Sequence, residues 1–460
     1  MMPNEEAKPF HLQGNYAPVS NELSTENLPI EGAIPPELNG TYVRNGPNPA
    51  SGTSAHWFGG DGMLHALRLE GGHARSYRNR WVQTKSLTDP DARLLSDAGE
   101  VDLTVAVANT SIVRHAGRWL ALVETSFPTE VTPELETLGS FDFGGRLASG
   151  MTAHPRICAK TGEMHFFGYG FLPPYLMYHR VNAAGELVQS EEIDVTGPTM
   201  MHDFAITENY VIFMDLPVVF NLEKAMASMG PAPAGKAGGD SGGDGMPYIW
   251  SDDYPARLGV LPRNQPGATV RWFDIDPCYI FHPYNAFERA GSIVLDVCRY
   301  DEIWRERTDH FSIPKPHRFS IDLGTGHVTE TPLFEGMAEF PCIDERLCGL
   351  PARYGYAVRS AALPTEDTAP SAIVKHDLER GIETAWEAPT GCVPGEAVFA
   401  PSAAQAGEDE GWLLLYMYDG NRNGSDFVIL DATNPASGPV ARVQLPQRVP
   451  FGFHGGWFSD

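Results

Sequence analysis

The sequence lacks the cysteine patterns that build a disulfide framework or a cysteine-ligated metal site. Its six cysteines, among 460 residues, form no CxxC motif and show no paired spacing. No uninterrupted apolar run reaches the roughly 18 residues that a membrane-spanning helix needs. The first residues, MMPNEEAKPFHLQG, have neither the basic nor the apolar region of a secretory signal. We therefore expect a cytoplasmic protein with reduced cysteines.

Positive charge is also scarce. The chain has 33 Lys and Arg against 59 Asp and Glu, which gives a formal net charge of −26. A chain this acidic repels phosphate backbones, which excludes nucleic acid as a partner, and charge alone would not hold it on anionic lipid. No glycine-rich loop lies between a strand and a helix, and no GxSxG motif is present, so we expect neither a dinucleotide nor serine-hydrolase chemistry. No feature of the sequence predicts a protein partner.

Short apolar strands are abundant. They include RWLALVE (118–124), EMHFFGYGF (163–171), NYVIFMDLP (209–217), SIVLDVCRY (292–300) and GWLLLYMYD (411–419). The 47 Gly and 38 Pro supply many turns between them. This pattern is typical of closed all-β folds, namely a pair of sandwiches, a barrel or a propeller, and at about four strands per blade the length suits roughly seven blades.

One segment predicts a helix, and the next predicts a loop. In VFNLEKAMASMG (219–230), the apolar residues Val219, Leu222, Ala225 and Met226 recur at helical spacing. The glycine- and proline-rich run that follows, PAPAGKAGGDSGGDGMP, predicts a mobile surface loop at about 231–246.

A hairpin pattern recurs along the chain with a polar residue at the same point each time. AHPRICAKTGEMHFFGY, MHDFAITENYVIFMD and FHPYNAFERAGSIVLDV carry His154, His202 and His282 before a polar turn and an apolar strand. A fourth segment, GEAVFAPSAAQAGEDEGWLLLYMYD, has Glu396 in the place of the histidine. Equivalent positions on the blades of a propeller can all point at its axis, so the pattern indicates a shared metal site. A single histidine beside a strand is more often a hydrogen-bonded core residue, but three in one hairpin position are harder to explain in that way.

The chain ends on PFGFHGGWFSD, with His454 six residues from the terminus. Chain ends usually fray unless they are held in place. The last strand of a propeller often closes the ring against the first blade, which would hold His454 and make it the final member of the metal site.

Several long segments resemble one known family. They are IPPELNGTYVRNGPNP (34–49), HWFGGDGMLHALRL (56–69), GPTMMHDFAITENYVIF (197–213), EFPCIDER (339–346), GEAVFAP (395–401) and FHGGW (453–457). Nearly end to end, the sequence resembles the carotenoid cleavage oxygenases, which include apocarotenoid, epoxycarotenoid and stilbene cleavers. The resemblance implies a single domain over 1–460, a seven-bladed β-propeller whose C-terminal strand closes the ring, with loops and short helices capping an axial metal. It further implies one non-haem Fe(II) per chain, held by His154, His202, His282 and His454.

The resemblance also implies three glutamates behind the ligands, which match Glu124, Glu339 and Glu396. Four imidazoles on an octahedral Fe(II) leave up to two positions for O₂ and substrate. Carboxylates can accept the remaining ring N–H of a ligand, which sets its tautomer and makes it more basic. Three glutamates for four histidines leave one ligand without such a partner, and the sequence does not assign the pairs.

By resemblance, the reaction is cleavage of one conjugated C=C bond of a hydrophobic small molecule into two carbonyl products, with O₂ as co-substrate. Stilbene- and phenylpropene-cleaving relatives tend to carry a lysine just before the first glutamate, where it meets a phenolic oxygen. Val123 stands there in this chain, which favours a carotenoid or apocarotenoid. Aromatic and apolar residues near the matched motifs are candidates for the tunnel wall: Phe58, Val123, Phe171, Phe281, Tyr300 and Trp304.

Three other functions stay open on the sequence. One is cleavage of a stilbene or phenylpropene of the lignostilbene or resveratrol type. The others are an isomerase that keeps the iron without using O₂ and a propeller that binds without catalysis. Apolar residues at the tunnel mouth, around Phe171, Leu172, Tyr175, Leu176 and the segment 218–230, are candidates for peripheral contact with a membrane.

Overall fold

Seven antiparallel sheets form the blades of a β-propeller in the computed structural model, which describes residues 8–96, 99–229, 246–360 and 371–460. Strands account for 45% of the structure and helices for 6%, which confirms the all-β, seven-bladed prediction. Except for Met246, the loop predicted at about 231–246 lies outside the described residues. All six cysteines lie within them, and none forms a disulfide.

The blades are numbered here along the chain. Blade 1 comprises Ser24–Glu26, Gly40–Pro47, Gly62–Glu70, His73–Trp81 and Gly455–Ser459. Blade 2 comprises Ser111–His115, Arg118–Leu122, Thr129–Val131 and Thr137–Ser140. Blade 3 comprises Arg156–Ile157, Met164–Tyr169, Leu176–Val181 and Leu187–Glu192. Blade 4 comprises Phe204–Ile206, Tyr210–Asp215, Arg257–Pro262 and Arg271–Asp274.

The remaining three blades follow the same plan. Blade 5 comprises Tyr279–Arg289, Ser292–Tyr300, Lys315–Asp322 and Val328–Pro332. Blade 6 comprises Glu339–Cys342, Tyr354–Ser360, Ser371–Asp377 and Ile382–Glu387. Blade 7 comprises Ile30–Gly32, Cys392–Pro394, Val398–Pro401, Gly411–Asp419, Gly424–Asp431 and Pro439–Gln444. Within the described ranges, the helical elements are Lys85–Thr88, Leu222–Met229 and five short 3₁₀ turns: Phe10–Leu12, Gly14–Tyr16, Trp57–Gly59, Glu345–Leu347 and Pro435–Ser437.

The inner strands are buried on both faces. In Met164–Tyr169 every residue is buried, and Gly411–Asp419 is buried at all but two positions. Because each blade of a propeller packs between two neighbours, both faces of its middle strands are buried. The sequences of these strands are therefore continuous apolar runs rather than an alternation of apolar and polar residues.

The two ends of the chain close the ring together. Gly455–Ser459 pairs with Gly40–Arg44 in blade 1, and Ile30–Gly32 from the N-terminal part pairs with blade 7. The backbone N–H of His454 donates to the carbonyl of Thr110 at 3.0 Å, and the carbonyl of His454 accepts from Asn45 at 2.9 Å. Backbone hydrogen bonds to blades 1 and 2 thus hold the histidine near the terminus.

The helix is shorter than the segment 219–230 predicted from the apolar spacing. It spans Leu222–Met229, whereas Val218–Phe220 forms a strand paired with Tyr248–Trp250. The Asn221 side chain accepts the N–H of Lys224 at 2.8 Å, and an asparagine in this position ends the strand and begins the helix. Among the described residues, no helix has the length and apolar character to cross a membrane.

Candidate metal centre

Four imidazoles meet on the axis of the ring. They come from four different blades: His154 from blade 3, His202 from blade 4, His282 from blade 5 and His454 from blade 1. One nitrogen of each ring lies within 4.8 Å of the others. The Nε2 atoms of His154 and His202 are 3.1 Å apart, and those of His202 and His282 are 3.2 Å apart.

These separations fit a single metal ion. Imidazole nitrogens lie about 2.1 Å from a divalent first-row metal such as zinc, so two neighbouring ligands at a right angle are about 3 Å apart. Burial, reinforced by the neighbouring imidazoles, holds the pKa of His154 and of His282 well below the usual value. Neutral imidazoles with free Nε2 lone pairs are the form that binds a metal.

Each of three histidines has a glutamate behind it. The Nδ1 of His282 lies 2.6 Å from Oε2 of Glu339, and the Nδ1 of His454 lies 2.8 Å from Oε1 of Glu396. The third pair is His202 with Glu124. An Nδ1–H that donates to a carboxylate leaves the Nε2 lone pair directed at the centre. Burial acts to lower the pKa of His202, but the surrounding carboxylates, Glu124 foremost, together outweigh it and the pKa is raised.

The seven residues come one from each blade. The four histidines belong to blades 1, 3, 4 and 5, while Glu124 follows a strand of blade 2, Glu339 opens blade 6 and Glu396 lies between two strands of blade 7. The hairpin pattern in the sequence, with Glu396 at a histidine position, reflects this arrangement. The sequence did not assign the glutamates to their histidines, and the structure makes the assignment.

Backbone and tyrosine groups hold the glutamates. The Tyr169 hydroxyl donates to Glu124 at 2.6 Å, and the Gly455 N–H donates to Glu396 at 2.7 Å. The Phe340 N–H donates to Glu339 at 2.5 Å, from a residue whose φ of +52° is rare outside glycine. Burial raises the pKa of Glu339 to about 7, against the opposing effects of this N–H and the Tyr300 hydroxyl.

His154 has no glutamate among the described residues. Its Nδ1 lies 3.9 Å from Oδ2 of Asp203, whose carboxylate is bound at 2.5 Å by the guanidinium of Arg156. Asp203 follows His202, and Arg156 is two residues beyond His154, so the ion pair joins the two ligand segments. We did not single out these residues in the sequence, although their places next to two of the histidines were a signal.

A cavity of about 1080 Å³ reaches the metal centre, and its wall includes His202, His282 and His454. Five of the residues proposed for the tunnel line it: Phe58, Val123, Phe171, Phe281 and Tyr300. The prediction for Trp304 was wrong, because its side chain is fully buried behind the wall, with its ring about 6 Å from those of Phe281 and Phe311. Further aromatic lining residues escaped the sequence reasoning: Trp57, Tyr248, Phe311, Phe340 and Phe453.

The cavity wall reaches the protein surface at apolar residues, which form its mouth. Leu172 lines it and is 55% exposed. The ring of Phe171 stacks on that of Phe220 at 5.0 Å, and both also line the cavity. Just beyond Phe220, Leu222 and Met226 of the helix are 63% and 61% exposed.

Solved structures share this architecture. A Pseudomonas brassicacearum lignostilbene dioxygenase matches with a TM-score of 0.85 at 28% identity, covering 98% of this chain and 99% of that one. A cobalt-substituted Synechocystis enzyme, named ACO, matches with a TM-score of 0.83 at 27% identity, covering 97% of this chain and 98% of that one.

Sequence relatives and a family match agree with the structures. The carotenoid cleavage oxygenase of Mycobacterium tuberculosis is 38% identical, with 97% of each chain covered. A carotenoid 9,10(9',10')-cleavage dioxygenase of Phaseolus vulgaris is 32% identical over 97% of this chain and 89% of its own. Residues 16–459 match the family described as retinal pigment epithelial membrane protein, RPE65. The chain therefore belongs to the RPE65 family, that of the carotenoid cleavage oxygenases.

Proposed function

We propose that this protein is a non-haem Fe(II) dioxygenase that cleaves a conjugated C=C bond of a carotenoid or apocarotenoid into two carbonyl products. The observation that carries the proposal is the cluster of four imidazoles, three of which line a mostly apolar cavity of about 1080 Å³. His154, His202, His282 and His454 would hold one Fe(II). The bound iron would supply the redox chemistry by which O₂ reacts with an alkene.

The residues of the chain would orient and shield the reacting bond. Glu124, Glu339 and Glu396 hold three of the imidazoles in the ligating tautomer, and their carboxylates would offset the charge of a bound cation. Phe281 and Phe340 lie against the histidine cluster, with ring centroids 5.1 Å from His202 and 5.5 Å from His282. Such walls exclude water and hold one double bond of an extended substrate over the centre.

Val123 favours a carotenoid over a stilbene. It lines the cavity next to Glu124, at the position where stilbene-cleaving relatives tend to carry a lysine. A valine offers no hydrogen bond or charge to a phenol. The second candidate remains cleavage of a stilbene or phenylpropene, because the similarity to the lignostilbene dioxygenase extends over nearly the whole chain.

The apolar mouth suits a substrate that dissolves in lipid. We propose that Leu172, Leu222 and Met226, all more than half exposed, contact a membrane surface from which substrate enters. Flotation of the protein with neutral phosphatidylcholine vesicles tests this contact. The triple change to serine should reduce the bound fraction, and equal binding of both proteins would contradict the proposal.

Product analysis tests the reaction. The Fe(II)-loaded enzyme would be given a β-apocarotenal and resveratrol in separate aerobic reactions with matched anaerobic controls. Oxygen-dependent cleavage of the apocarotenal supports the proposal, and product masses locate the bond. Cleavage of resveratrol alone would establish the second candidate, and product formed equally without oxygen would point to an isomerase.

A further inference from the structure

A polar cluster interrupts the apolar wall of the cavity, away from the metal centre. The Nε2 of His179 lies 2.8 Å from Oγ of Ser149, and its Nδ1 lies 2.9 Å from Oγ of Ser190. All three residues line the cavity. The His179 side chain is buried, whereas Ser190 is exposed, so the cluster lies where the cavity approaches the surface.

The position of the cluster in blade 3 sets its distance from the axis. His179 lies on the third strand of the blade and Ser190 faces it on the fourth, while His154 precedes the first strand. Neighbouring strands are about 4.8 Å apart, so the cluster lies roughly 10–15 Å outward from the strand that follows His154. A substrate whose reacting bond lies at the metal centre would bring its end group, not its reacting bond, to this cluster.

His179 differs from three other buried histidines of the blades. His65, His165 and His376 each place Nδ1 on a tyrosine hydroxyl, at 2.8, 2.7 and 3.0 Å. None of these three lines the cavity. These three core histidines are each paired with a tyrosine, whereas His179, which lines the cavity, carries two small hydroxyls on its ring nitrogens.

The hydrogen bonds of the cluster have a direction. The Ser149 hydroxyl donates to the carbonyl of Gly150 at 2.9 Å, so its oxygen accepts from the Nε2–H of His179. Burial lowers the pKa of His179 to about 4, so the ring carries one proton near neutrality. Its Nδ1 therefore accepts, and the Ser190 hydroxyl donates to it. Both serine hydroxyl protons are then used in these hydrogen bonds, while each serine oxygen keeps a free lone pair. The cluster can therefore accept a further hydrogen bond but has no free proton to donate.

We propose that Ser149, His179 and Ser190 form a binding site for a hydroxyl on the end group of the substrate, so that the enzyme prefers a hydroxylated carotenoid or apocarotenoid. This inference rests on the proposed function and specifies its substrate. A hydroxyl leaving water needs a new acceptor, which the serine oxygens supply and the apolar wall does not. A hydrocarbon end group gains nothing from the cluster, and neither does a carbonyl, which has no proton to donate.

Two matched substrates test the inference: β-apo-8'-carotenal and its 3-hydroxy derivative, which differ only in the ring hydroxyl. We expect kcat/KM to be about fivefold higher for the hydroxylated compound, the size of one neutral hydrogen bond. In the double variant Ser149→Ala/Ser190→Ala this ratio should fall to about one. The control Ser54→Ala, at another serine of the cavity wall, should keep the preference.

Binding measured without turnover separates this inference from the proposed reaction. Anaerobic titration of each compound, followed by quenching of tryptophan fluorescence, gives its Kd with wild-type enzyme and with the double variant. Cleavage of both compounds with equal kcat/KM and equal Kd would overturn the hydroxyl site and leave the dioxygenase intact. Tighter binding of the hydroxylated compound, lost in the double variant, would support the site even if neither compound were cleaved. In that case only the proposed reaction would be refuted.

Discussion

Oε2 of Glu339 lies 2.6 Å from Nδ1 of His282, and the same oxygen accepts the N–H of Phe340 at 2.5 Å. One carboxylate oxygen thus receives both the proton of the imidazole and a backbone donor. The ring of Phe340 covers the imidazole, with centroids 5.5 Å apart. The orientation of His282 is therefore set by contacts outside the metal site itself.

Replacing this carboxylate by an amide tests the role of the pair. Glu339→Gln removes the negative charge and leaves an acceptor of nearly the same shape, so iron should still bind but less tightly. We expect a loss of about 10- to 100-fold in metal affinity or activity, the range for groups behind a ligand. Metal titration and turnover would measure it. The control Glu335→Gln, at a side chain that is 94% exposed, should match wild type, and an equal loss there would refute the specific role of Glu339.

Removing a ligand should have a larger effect. His202→Ala or His454→Ala takes one of four nitrogens from the cluster, so iron content and activity should be lost together. Iron analysis of purified protein and an oxygen-dependent assay would measure both. His327→Ala, at an exposed turn of blade 5, serves as the control. Full iron and full rate in either ligand variant would refute the assignment.

The wall residue Val123 offers a test of substrate choice. Val123→Lys places a cation beside Glu124 in the cavity, where it would meet a phenol favourably and a polyene unfavourably. We expect the variant to lose more activity on an apocarotenal than on resveratrol, as measured by the ratio of the two kcat/KM values. Val123→Leu, which keeps the wall apolar, should retain the wild-type ratio. An unchanged ratio in the lysine variant would mean that this position does not select the substrate.

The ion pair between Arg156 and Asp203 should stabilise the fold around two ligands. Arg156→Met leaves the Asp203 carboxylate, which is 1% exposed, without its cation. Removing one partner of a buried pair typically costs about 3–5 kcal/mol. Lys160→Met breaks a pair whose side chains are about half exposed, where the expected cost is at most about 1 kcal/mol. Unfolding in urea would compare the two, and equal costs would contradict the structural role of Arg156.

The strands and hairpins that repeat along the chain could be predicted from the sequence. Continuous apolar strands between turns predicted a closed all-β fold, because strands buried on both faces leave that pattern, and the family resemblance narrowed it to a seven-bladed propeller. The recurring hairpin singled out three histidines and Glu396, closure of the ring by the last strand added His454, and the family resemblance added the other two glutamates. These seven residues lie together in the structure. The cluster of Ser149, His179 and Ser190 has no such pattern, since its members come from a connection and from two outer strands.

Local sequence also misjudged particular residues. The helix was predicted from 219 because apolar spacing alone does not register the strand partner Tyr248–Trp250, which holds Val219 in an extended conformation. Trp304 was placed on the cavity wall because it lies near a matched motif, but its ring packs behind Phe281. Proximity along the chain does not show which layer of a wall a side chain occupies.

The sequence by itself determined the fold class, the family and the residue types of the metal site, because strand burial and ligand chemistry constrain each segment locally. Only the tertiary structure decided that Glu124 serves His202, that Glu339 serves His282 and that Glu396 serves His454. It also decided that His154 instead faces Asp203. Each of these pairs joins residues far apart in the chain and on different blades, so the packing of the blades around one axis brings them into contact.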